Sequence, residues 1–172
     1  MVQFSLEAAL VAGLAGTFAM SAMMTMASRA GITEMPPMPL VIGSMVTGDR
    51  SRARLMGAFV HYLVMGTVVF GIIYGLLFTA FGSDGWLTGV VMGAVHGVLV
   101  GAVILPMMGA VHPRMSVASP AAAGDSAPGS GELRLPAPGA MGIRWGGMTP
   151  LGLIVGHVIF GLVAAIAYGA LV

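Results

Sequence analysis

The chain has 172 residues, of which 58% are hydrophobic and 8% charged; its seven basic residues are all arginine, and the net charge is +1. Mean hydropathy is +0.98. Soluble domains carry about a quarter charged residues, so these values exclude a soluble globular domain, and the apolar content excludes a disordered chain. The balanced charge gives no footprint for nucleic acid. The lack of any cysteine removes disulfides, thiolate metal sites and cysteine nucleophiles together.

In chain order, the first apolar stretch runs over about residues 6–27. It has no basic n-region and is followed by further spans, so it reads as a retained span and not a cleaved signal. Residues 30–54 follow, with Pro36, Pro37 and Pro39 breaking any helix and an apolar piece, Leu40 to Val46, too short to cross a bilayer. That piece is expected in the interface or folded back against the bundle. The second and third stretches cover about 55–81 and 86–111, separated by the short turn Gly82 to Gly85. His112-Pro113-Arg114 reads as a helix end, with a cation complementing the macrodipole. Residues 115–142 are rich in Ala, Pro, Gly and Ser and are expected to form a flexible linker within a loop over 115–149. Thr149-Pro150 predicts an N-cap with proline at the first helical position, opening a last stretch over 150–172.

Each of the four stretches reaches the ~20 residues needed to span a bilayer core. The expected fold is therefore all-α and integral to the membrane, a four-helix bundle in a single domain over 1–172. Arg29, Arg50, Arg52 and Arg54 lie between the first two spans, and Arg114, Arg134 and Arg144 between the last two. The positive-inside rule puts both long loops in the cytoplasm and both termini outside, in a cell inner (plasma) membrane.

An internal repeat is visible. Gly13, Met23-Met24 and Arg29 in the first span match Gly97, Met107-Met108 and Arg114 in the third, with ten residues from glycine to the first methionine in both. Spans two and four match more loosely through His61, Phe70-Gly71 and Tyr74-Gly75 against His157, Phe160-Gly161 and Tyr168-Gly169. Each half crosses inward and returns, which predicts two tandem hairpins as parallel repeats about an axis along the membrane normal. Gly89, Gly93, Gly97 and Gly101 recur every four residues, and Gly71 with Gly75 repeat the device, so these faces should admit a neighbouring backbone closely.

Chemistry must come from residues that are costly in lipid. The spans hold no Lys, Arg or Asp, and Glu7 sits at an outer edge, so a carboxylate relay has no residue to work through. Histidine remains. His61 and His157 both lie about 10 Å inside the cytoplasmic boundary, as do Met23 and Met107 from the inner ends of their spans. On the diagonals of an up-down bundle they would form a centre of two imidazoles and up to two thioethers at one level. Imidazole suits haem b, and imidazole with thioether suits soft copper(I). Plain hydrogen bonding and packing is the competing expectation for the same residues. His96 reads as lying nearer the outer leaflet, without a partner in the repeat, in a ligand or proton-transfer role. Met20 and Met24 share the M-x-x-x-M spacing of the methionine pairs in copper-uptake channels, and nothing more of that pattern.

No G-x-S-x-G, Walker loop or H-E-x-x-H occurs, and the glycines follow no strand, so a stand-alone catalytic activity is not expected. Three functions fit. The first is a membrane protein binding haem or a transition-metal ion at His61, His157 and His96 with Met23 and Met107, for electron or metal transfer. The second is an accessory or assembly subunit of a larger membrane complex. The third is a small transporter or channel formed as a homo-oligomer.

Overall fold

The structure, a computed structural model, describes residues 2–116 and 132–172. It is mostly helical, and four of its helices are long and apolar enough to cross a membrane. These are α1 (Leu6–Arg29), α3 (Arg50–Phe81), α4 (Trp86–Val111) and α5 (Thr149–Gly169). A short helix, α2 (Met38–Gly43), precedes α3. A minimal parallel pair, β1 (Met115–Ser116) and β2 (Leu135–Pro136), and a 3-10 turn over Ala140–Trp145 fill the segment before α5.

α3 begins five residues earlier than the apolar pattern alone suggests, because Asp49 caps it: its carboxylate accepts from the Arg52 N–H at 2.8 Å. It ends at Gly82, whose φ of 63° supplies the left-handed cap, with the Ser83 N–H returning to the Phe78 carbonyl at 3.1 Å. Between those ends, Phe59–Phe70 is π-helical. A π-turn brings residues five apart into line, so His61, Gly66 and Gly71 form one buried stripe. A second π segment, Val100–Ile104, precedes Pro106 in α4.

Internal contacts divide the chain into two compact units. The first comprises residues 1–24, 62–97 and 154–172. Its core packs Ala8, Ala9 and Ala12 of α1 with Tyr74 and Phe78 of α3, Met92 of α4, and Phe160, Ala164, Ala165 and Tyr168 of α5. Small residues bring the backbones together. A Cβ on Gly71 would lie 3.5 Å from the Gly13 Cα, and one on Gly161 would lie 3.0 Å from the Gly93 nitrogen. The Tyr168 hydroxyl ties down the amino-terminal segment, accepting from the Ser5 N–H and donating to the Gln3 carbonyl, both at 2.9 Å.

The second unit comprises residues 25–61 and 98–153. Here α2 folds back against the start of α3, burying Leu40 and Val41, with Gly43 at Ala53 and Gly57 at Pro39. Much of the linker predicted over 115–142 falls on residues 117–131, outside the described residues. The remainder departs from that expectation. Leu133, Leu135 and Ala137 alternate with Glu132, Arg134 and Pro136, and their apolar side chains are buried. Their N–H groups donate to the carbonyls of Gly48, Arg114 and Ser116. Average composition hid a two-residue period that a strand can use. Trp145, 1% exposed, closes the turn by donating its indole N–H to the Pro136 carbonyl at 3.0 Å.

Two local expectations are corrected in this unit. The Thr149 hydroxyl donates back to the Trp145 carbonyl at 2.7 Å and meets the Thr33 hydroxyl at 2.7 Å, so it joins the loops and caps no helical N–H. His112 is buried, and its Nδ1 accepts the Arg114 backbone N–H at 3.1 Å, which requires an unprotonated ring. Its Nε2 then donates to the Val41 carbonyl at 3.0 Å. It ends α4 as a neutral hydrogen-bonding group and not as a cation.

Candidate functional site

Three polar side chains of the first unit, Tyr74, His96 and His157, lie close together. α4 and α5 run antiparallel there, and their register is fixed by missing side chains. Gly89 faces the Gly161 backbone, Gly93 the carbonyl of His157, and Gly97 the His157 Cβ and Ile154. That register sets His96 beside His157: the ring centroids are 4.6 Å apart, with the planes at 73°.

Aromatic side chains surround His96. Phe70 lies 4.4 Å from the His96 ring and Phe160 6.0 Å from it. Tyr74 is 4.9 Å from Phe160, centroid to centroid, and its hydroxyl is 3.3 Å from His96 Nδ1. On the other side of that ring, Nε2 is buried and has no hydrogen-bond partner. It is the one such side-chain nitrogen or oxygen among the described residues.

The two tautomers of His96 differ in what this atom offers. With the proton on Nε2, Tyr74 donates to Nδ1 and a buried N–H goes unmet, at a cost of about 1–3 kcal/mol. With the proton on Nδ1, the ring donates to the Tyr74 oxygen and Nε2 presents a bare lone pair. The second form is that of a metal-ligating histidine, whose other ring nitrogen donates to a fixed acceptor.

The expected occupants differ in the ring separation they require. Two imidazoles on one ion at a tetrahedral angle, with metal–nitrogen distances near 2.0 Å, have centroids about 5 Å apart. Trans ligands on a haem iron have centroids about 6 Å apart, with a porphyrin between them. The His96 and His157 rings, at 4.6 Å in edge contact, are nearer the first separation than the second.

The other expected ligands fall as follows. His61 is buried and belongs to the second unit, whereas His157 belongs to the first, so the histidine that shares a unit with His157 is His96. Met107 also lies in the second unit and is 57% exposed. Met23 is half-buried in the first unit and reaches Gly156, the residue before His157. Gly71 and Gly75 face Ala9 of α1, and Gly101, in the second unit, faces Met141 and Leu153. No group of three or more His, Asp or Glu lies together among the described residues. An ion held at His96 would therefore need thioether or backbone donors as well.

The His96–His157 pairing escaped the sequence reading because the two depths were counted from opposite faces of the membrane. Counted from the same end, His96 is ten residues past Trp86 and His157 twelve before Gly169, about 15 and 18 Å. Tyr74, also missed as a site residue, is seven residues before Phe81, about 10 Å from that end. No protein family, curated protein or solved structure matches the chain.

Proposed function

We propose that this chain is an integral membrane protein that binds a transition-metal ion through His96 and His157, for electron or metal transfer, with Tyr74 setting the ligating tautomer of His96. The observation that carries this reading is the buried, unpartnered Nε2 of His96 beside a second imidazole. A desolvated imidazole nitrogen is costly unless something meets it, and a metal ion does so.

The same reading has the four long helices crossing the bilayer as two tandem hairpins, with the arginine-bearing loops in the cytoplasm. Glycine pairing supports the repeat. Gly13, in the first helix of its hairpin, meets Gly66 and Gly71 of the second, while Gly97 meets Ile154 and His157 in the same relation. The glycine faces of the first unit are met by backbone and side chains of this same chain.

The test is metal content and absorbance of the detergent-purified protein after loading with copper(I) or zinc(II), compared with His96→Ala and His157→Ala. Both variants are expected to hold one ion per chain fewer than the native protein. Equal metal content in all three proteins overturns the assignment. A Soret band that shifts on reduction with dithionite would replace the ion by haem.

A further inference from the structure

The geometry points to a second, thioether site in the first unit, built from Met20, Met23 and Met24, that restricts the metal to a soft monovalent ion, copper(I) or silver(I). This inference rests on the reading of the chain as a metal-binding protein and names the class of ion. The three side chains come from consecutive turns of α1 and converge on one bare point of α5. A Cβ on Gly156 would lie 3.2 Å from Met23 Cε, 3.3 Å from Met20 Cγ and 3.6 Å from Met24 Sδ. Glycine at 156 thus leaves room for the three methionine side chains, with the Met24 sulfur among the nearest atoms. The next residue of α5 is His157, whose Cβ faces Gly97 of α4. Methionine side chains from α1 and the His96 imidazole from α4 therefore meet α5 at the adjacent positions 156 and 157.

Charge decides which ion such donors can hold. Thioether and neutral imidazole contribute none, and the acidic residues of this unit, Glu7 and Asp84, stand at helix ends. An ion at either place keeps its whole charge in a medium of low dielectric. The desolvation cost of an ion rises with the square of its charge, about fourfold from a monovalent to a divalent ion, so Zn(II) or Cu(II) is disfavoured relative to Cu(I). Thioether sulfur prefers Cu(I) on grounds of softness as well. The step is binding and exchange only: the ion leaves thioether sulfur for imidazole nitrogen with no change of oxidation state, and no electron or proton is required.

The experiment is equilibrium competition for Cu(I) and for Ag(I) against a chelating dye, with Zn(II) as comparator. It uses the full chain in detergent, the combined Met20→Leu, Met23→Leu, Met24→Leu variant and the His96→Ala variant. Leucine is close to methionine in volume, so the fold should survive, which circular dichroism checks. The expected result is a tenfold or greater preference for the monovalent ions in the wild-type protein, and a tenfold or greater loss of that affinity in the methionine variant. A folded methionine variant that binds Cu(I) as tightly as wild type overturns the thioether site. Tighter binding of Zn(II) than of Ag(I) overturns the choice of ion. Loss in His96→Ala with no change in the methionine variant leaves the imidazole centre standing alone. Loss in the methionine variant with none in His96→Ala removes the imidazole centre and keeps the thioether site.

Discussion

Tyr74 has the clearest separable role at the scale of single residues. Its hydroxyl is the only polar group shown against His96 Nδ1 among the described residues. Tyr74→Phe keeps the ring contacts with Phe78 and Phe160 and removes one hydrogen bond, so stability should fall by about 1 kcal/mol in thermal unfolding. With the acceptor for the Nδ1 proton removed, metal affinity should also fall about 10- to 100-fold, as for other partners behind a ligating histidine. A Tyr74→Phe protein that loses stability but binds metal unchanged would assign the tyrosine to packing. His112 shows the opposite design, with both ring nitrogens engaged. Burial, reinforced by the nearby Arg114 charge, holds its pKa below the ordinary imidazole value of 6.5, against the opposing pull of the Val41 carbonyl. The unfolded chain therefore binds this proton more readily than the folded one. The stability contribution is complete above about pH 6.5 and is lost progressively as pH falls toward the folded value. Denaturant titrations from pH 8 to pH 5 should show the decline, and His112→Gln should flatten it.

Between helices, register is set by absent side chains. A Cβ on Gly93 would sit 2.9 Å from the His157 carbonyl carbon, a backbone atom that cannot step aside. Gly93→Ala should therefore push α4 from α5 and cost about 2 kcal/mol, within the usual range for overpacking. Gly147, with nothing within 4 Å, is the control, and Gly147→Ala should stay within about 0.5 kcal/mol. Legibility in the sequence follows the same physics. The helices themselves were readable because hydropathy over some twenty residues is a one-dimensional signal. The four-residue glycine period marked which face of α4 would meet a neighbour, but which residue of α5 lies opposite is a matter of register between distant segments. The pairing of His96 with His157 is such a matter of register. The π-helical stretch of α3 is also silent in the sequence, since an ordinary helix places residues three and four apart on one face, whereas His61, Gly66 and Gly71 align only when the turn widens.

For the whole molecule, the arrangement proposed is two tandem hairpins in a bilayer, carrying a neutral donor set with charge confined to the ends. The native chain has no cysteine, so single cysteines report topology without background. Ser83→Cys, in the turn between α3 and α4, should react with an impermeant maleimide on intact cells, and exposed Ser51→Cys only after permeabilisation. The reverse pattern would invert the orientation drawn from the arginines. The claim on which the functional account turns is that His96 and His157 share an ion. X-ray absorption at the copper edge of the copper(I)-loaded protein tests it most directly. The account predicts imidazole nitrogen scattering near 2.0 Å, diminished in His96→Ala and in His157→Ala. A loaded protein whose spectrum is the same in wild type and both variants would contradict it.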